Sequence, residues 1–210
     1  MKYLPIMLDL SRIKVIIFGG GKVAYRKLNY FEGADITIVS ENFLKEISKK
    51  NVRLLRKKII DPEEARPIIK DADLVIIATN DKSLNSSLMG ICEDEKKIYN
   101  LVDDKKSKAI FPACYNEKDI ILAISTSGRA PALSTFLRDE LSKNLKRYSN
   151  ALDIVEKIRK SINSHNEQIR KKYFRVLFES KNFWELIDKK DFEKAYQLAL
   201  KVWRDMDVSS

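Results

Sequence analysis

At 210 residues, the chain is long enough for one α/β domain with an appendage; 44% hydrophobic and 33% charged residues read as a soluble globular protein and exclude disordered or fibrous classes. Forty basic against thirty acidic side chains leave a formal charge of +10, which admits a nucleic-acid binder, a site for a polyanionic small molecule, or a Lys-rich solvated surface. The basic residues are scattered and no nucleic-acid motif is visible, which argues against the first.

The N-terminal stretch MKYLPIMLDL is apolar but broken by Pro5 and Asp9, so it is a poor signal peptide. No run approaches the ~18 apolar residues of a membrane span. A cytoplasmic protein with no membrane partner is expected.

The first half alternates short apolar runs with helical stretches. KVIIF (14–18), DITIV (35–39), VRLL (52–55), DLVIIAT (73–79) and IYNLV (98–102) read as strands. Their β-branched, nearly continuous apolar character suits strands buried on both faces of a parallel sheet. Between them, Ala24, Leu28 and Phe31 share a helical face ahead of Gly33, a C-terminal stop. Pro62 opens a further helix in DPEEARPIIKD, and DKSLNSSLMGICEDE fills the last crossover. Strand–helix–strand repetition predicts an α/β, doubly wound, parallel Rossmann-type sheet. Cys92 and Cys114 have no metal-ligand spacing, so reduced thiols and no metal site are expected.

Around Ala109 the texture changes. AIFPACYNEKDIILAIS reads as a hairpin turning at residues 116–119. Beyond Pro131 there is neither Gly nor Pro, and Leu141, Leu145, Tyr148, Leu152, Val155, Ile158 and Ile162 recur at helical spacing. These helices are expected to pack on one another or on a second copy of the chain. The predicted division is 1–110 for the sheet domain, 111–150 for the hairpin region and 151–210 for the helical tail.

Half of the chain's six glycines stand together in Gly19-Gly20-Gly21, followed by Lys22-Val23-Ala24. This is G-x-G-x-x-A, placed after a predicted strand and opening a predicted helix. In that setting Gly19 allows the tight turn, Gly21 leaves room for a pyrophosphate, and Ala24 lets helix and sheet approach. The helix N-terminus offers amides to the phosphates. At the end of the second strand, Ser40 and Glu41 can bond ribose hydroxyls, and no basic residue follows before Lys45. NAD is therefore expected over NADP. Ala78, Thr79 and Asn80 suit a nucleotide wall, while Asp81 reads equally as a helix cap.

Together LPIMLDLSRIKVIIFGGGKVAYRK, ATNDKSLN, NLVDD and AISTSGRAPALSTFLRDEL resemble the precorrin-2 dehydrogenases, the NAD-dependent module of siroheme synthases. The resemblance covers about residues 3–150. It implies oxidation of precorrin-2 to sirohydrochlorin with NAD, in some members also ferrous iron insertion. It implies a homodimer built from a dinucleotide domain, a dimerisation region and a helical domain. The implied catalytic residue is Asp103. Implied cofactor contacts are Gly19, Gly20, Gly21, Lys22, Val23, Ser40, Glu41, Asn42, Thr79, Asn80 and Asp81. The loop Thr126, Ser127, Gly128, Arg129 is the implied substrate contact, with Ser127 standing where many relatives carry glycine. Arg129 and Arg138 are candidate partners for the tetrapyrrole's carboxylates, since guanidinium pairs bidentately with carboxylate. His165, the only histidine, lies in a polar run and reads as solvated. The competing reading is an NAD-sensing regulatory module that uses the same sheet without chemistry.

Overall fold

The β-branched runs fold into parallel strands because each is apolar on both sides and each is separated from the next by a helical crossover. A computed structural model describes residues 3–102, 106–162 and 167–207. Its chain divides into two compact units, Met1–Phe111 and Pro112–Ser210.

In the first unit, β1 (Lys14–Phe18) leads through α1 (Lys22–Leu28) to β2 (Asp35–Ser40). Then α2 (Lys45–Ser48) leads to β3 (Arg53–Arg56), and α3 (Arg66–Lys70) to β4 (Leu74–Ile77). Finally α4 (Lys82–Asp94) precedes β5 (Ile98–Leu101). All pairings are parallel, in the order β3-β2-β1-β4-β5. The chain starts in the middle, winds to one edge, then returns to wind to the other.

Alternation along β1 splits the core in two. Val15 and Ile17 join Ile36, Ile38, Ala24, Leu28, Phe31 and Ile47 on one face; Ile16 and Phe18 join Val75, Ile77, Ile69, Leu88 and Cys92 on the other. Each fully buried Ile or Phe contributes about 1.5–3 kcal/mol relative to exposure. Burial also pushes the Cys92 thiol up to about 12, so it packs as a small apolar, protonated side chain. The helix ends earlier than expected: α1 stops at Leu28 with Asn29 as its C-cap, so Phe31 is buried beyond the helix and Gly33, at a left-handed φ of 96°, belongs to the following turn rather than to the helix end.

Another expectation needs correction. β3 is not buried on both faces: all four of its residues are exposed, with Leu54 and Leu55 each at 37%. It is an edge strand, and its terminal arginines suit an edge that must not template a further strand. The segment after it is also broken, because Pro67 sits inside the predicted helix. Residues Pro62–Ala65 form a 3-10 turn capped by Asp61, and α3 follows as a separate short helix.

In the second unit, β6 (Ala113–Glu117) and β7 (Ile120–Ile124) form an antiparallel hairpin against which α5 (Pro131–Ser142) packs. The remaining helices are α6 (Leu145–Ser161), α7 (Glu167–Glu179), α8 (Lys181–Asp188) and α9 (Phe192–Asp207). They pack on one another around Ala151, Ile154, Ile158, Tyr173, Leu177, Phe183, Ile187, Ala195 and Ala199. Small residues on α9 let α7 approach, and the buried Tyr173 hydroxyl donates to the Ala199 carbonyl at 2.8 Å. The predicted stripe from Leu141 to Ile162 is only partly the core face. The helix breaks between Ser142 and Leu145, which resets its phase; Leu141 and Tyr148 are exposed, and Ile154 is buried.

Candidate functional site

The loops that follow β1, β2 and β4 meet at the carboxyl edge of the sheet. Gly19 N–H donates to the Val39 carbonyl, Leu44 N–H to the Gly20 carbonyl, and Ala78 N–H to the Phe18 carbonyl, each at 2.9 Å. The three glycines serve different ends. Gly19 has φ 113°, and a Cβ there would collide with the Ala78 carbonyl. A Cβ on Gly20 would collide with the Asn42 carbonyl and come within 3.0 Å of the Ser40 hydroxyl. Gly21 is extended, and a Cβ on it would meet nothing within 4 Å. The first two glycines close the loop against its neighbours; the third faces open space. Gly21 is also the N-cap of α1 and brings no side chain to satisfy the helix's first amides, while Ala24 is buried against the sheet. Glycine, free space and a helix opening are what a pyrophosphate requires here. The residues fit a dinucleotide.

At the end of β2, Ser40 is half-buried and Glu41 and Asn42 are exposed. The register sets Ser40 against Arg56 of β3. Arg56 Nη1 donates to the Glu41 carbonyl at 3.0 Å, and its guanidinium lies 5.5 Å from the Phe43 ring centroid. Lys58 Nζ lies 3.7 Å from the Glu41 carboxylate. Reading along the chain misses these cations, which lie far from β2 in sequence; the sheet order brings them to its end.

After β4, Asp81 acts as a helix cap. Its carboxylate accepts from Ser83 N–H at 2.8 Å and Leu84 N–H at 3.0 Å. Thr79 Oγ1 bonds Asn85 Oδ1 at 2.5 Å, and Asn85 Nδ2 returns to the Thr79 carbonyl at 3.1 Å. Asn80 is exposed between them. These bonds hold the shape of a loop in which Asn80 and Asp81 are both exposed.

Asp103 lies outside the described residues, as do Asp104 and His165. The two ends of the segment that carries Asp103 are tied together. Ser107 Oγ accepts from Leu101 N–H and donates to the Leu101 carbonyl, both at 2.9 Å. Nearby, Asn100 Nδ2 donates to the Ala109 carbonyl at 2.9 Å. The buried Tyr99 shares its hydroxyl proton between the Glu93 carboxylate at 2.8 Å and the Lys106 carbonyl at 3.1 Å.

In the other unit, Thr126 organises the loop between β7 and α5. Its hydroxyl accepts from Ala130 N–H at 3.0 Å and lies 3.1 Å from the Ser134 hydroxyl, while its carbonyl accepts from Arg129 N–H at 3.1 Å. Ser127 and Gly128 both adopt left-handed φ, 55° and 76°, so serine occupies a conformation that favours glycine. Arg129 is exposed, and Arg138 pairs with its neighbour Asp139 at 2.6 Å.

A family model described as "Putative NAD(P)-binding" matches residues 6–113. The precorrin-2 dehydrogenase of Methanosarcina barkeri is 31% identical over 99% of this chain and 96% of its own length. The chain belongs to the precorrin-2 dehydrogenase family. The siroheme synthase of Blochmanniella pennsylvanica is 32% identical over 95% of this chain, but the match covers 44% of that protein. The chain thus spans less than half the length of such siroheme synthases. A solved structure of SirC, a precorrin-2 dehydrogenase, superposes with a TM-score of 0.70 over 93% of this chain at 24% identity, and so shares the fold. The precorrin-2 dehydrogenase fold here places the glycine loop, the β2 end and the β4 end together at one sheet edge, all within Met1–Phe111. The Thr126–Arg129 loop belongs to the other unit.

Proposed function

We propose that this chain oxidises precorrin-2 to sirohydrochlorin, with NAD as the hydride acceptor. The observation that carries the reading is the open position at Gly21, found in a chain that matches a precorrin-2 dehydrogenase over almost the whole length of both proteins. The residues that would hold the dinucleotide are Gly19 to Val23, Ser40 to Asn42, and Thr79 to Asp81. Bound NAD supplies the acceptor for a hydride.

Loss of a hydride and a proton converts precorrin-2 to sirohydrochlorin, so the protein must provide a base. Asp103 takes that role: a carboxylate placed after a strand of the dinucleotide sheet can accept the proton. The loop Thr126, Ser127, Gly128 and Arg129 binds substrate. There Arg129 pairs with a carboxylate of the tetrapyrrole, and the charge of +10 draws in a polyanion. The working protein is a cytoplasmic homodimer whose hairpin region, 111–150, joins two copies, with residues 151–210 as the helical domain. Its partners are the tetrapyrrole and the second copy.

Anaerobic incubation with precorrin-2 and NAD, followed by absorbance, tests the reading: sirohydrochlorin and NADH should appear in equal amounts. Addition of ferrous iron tests for chelation in the same vessel. Nucleotide binding without turnover would instead favour an NAD-sensing module.

A further inference from the structure

We propose that Arg56 and Lys58 form a site for a 2′-phosphate, so that the chain takes NADP as well as NAD; this rests on the dinucleotide reading above. Selectivity for NAD is usually enforced by an acid at the end of the second strand. That acid bonds the ribose hydroxyls and repels a phosphate. Glu41 occupies that neighbourhood, but two cations from β3 and the residues after it flank it.

The geometry links the three parts. The Ser40 hydroxyl lies 3.0 Å from the place a Cβ on Gly20 would take, so the β2 end abuts the glycine loop. Arg56, in register with Ser40, is held by its bond to the Glu41 carbonyl and by the Phe43 ring. That bond uses one of the five N–H donors of the guanidinium. Among the described residues, the rest of its donors are unpartnered. Lys58 pairs with Glu41 at 3.7 Å, and both side chains are well exposed, a weak pair that a phosphate can displace. Lys57, by contrast, is engaged by Glu64 at 2.8 Å and is not part of the site. One carboxylate against an arginine and a lysine leaves a net positive end. A planar guanidinium with free donors is the group best matched to phosphate oxygens.

Calorimetric titration of the full chain with NAD and with NADP tests this without any turnover. Both should bind, with dissociation constants within about tenfold. In the Arg56→Ala/Lys58→Ala double variant, the ratio of the NADP to the NAD constant should rise by roughly tenfold to a hundredfold, the loss expected of charge-assisted hydrogen bonds. Both side chains are exposed, and an unchanged circular dichroism spectrum checks the fold. Measurable NAD binding with no NADP binding overturns the inference and leaves the dehydrogenase reading in place, as does a ratio the double variant does not move. Binding of neither nucleotide overturns both.

Discussion

A methyl group on Gly20 would run into the Asn42 carbonyl, whereas one on Gly21 would enter open space. Neighbouring substitutions should therefore fail for different reasons. Gly20→Ala should lower stability by about 1–3 kcal/mol, the usual penalty of overpacking, read from denaturant unfolding. Gly21→Val should leave the unfolding midpoint nearly unchanged, because its extended backbone suits a β-branched residue. It should nevertheless abolish nucleotide binding in a titration, since the isopropyl group fills the space left for the pyrophosphate. A Gly21→Val protein that binds NAD normally would remove that assignment. At Asp103 the test is chemical. Asp103→Asn keeps size and removes basicity, so NAD should still bind while precorrin-2 oxidation falls ~10²–10⁴-fold. Oxidation at the parent rate would make Asp103 structural.

The elements were legible in the sequence where hydrophobic period and turn chemistry agreed. β1, the glycine loop and α1 follow one another as the pattern of residues 14–28 requires, although α1 stops at Leu28, short of the expected stop at Gly33. Other helix ends were hidden because lysine stands where glycine would signal. Lys96 after α4 and Lys190 after α8 both take left-handed φ, 54° and 58°. In each, successive amides return to carbonyls of the last turn: Lys97 N–H to Cys92, and Asp191 N–H to Leu186. A left-handed L-residue is strained by about 1–2 kcal/mol, while glycine loses more chain entropy. Lys96→Gly and Lys190→Gly should each stabilise the protein by about 0.5–1 kcal/mol in chemical denaturation. A destabilised variant would show that the lysine side chains contribute more than the strain they impose. The cations beside Glu41 were illegible for another reason. Arg56 and Lys58 reach the β2 end only through the pairing of β2 with β3, and single-chain periodicity does not order strands.

At the scale of the whole molecule, the hairpin of β6 and β7 is the feature a single copy explains least well. A two-stranded sheet is marginal alone, and here α5 packs against it. On this hairpin and helix Ile121, Leu133, Phe136 and Leu141 remain 50%, 49%, 60% and 54% exposed. Apolar surface of that kind beside open strand edges fits self-association, so sedimentation at micromolar concentration should report a homodimer. Phe136→Glu should shift it toward monomer without altering the secondary-structure spectrum. Charge sharpens the test. Each copy carries +10, so long-range repulsion opposes pairing while apolar burial favours it. Salt that shortens the Debye length to about 8 Å screens the first and leaves the second. Raising ionic strength should therefore tighten the dimer. Dissociation on adding salt would mean that ion pairs hold the copies together, and a compact monomer throughout would mean that the hairpin is stable on α5 alone.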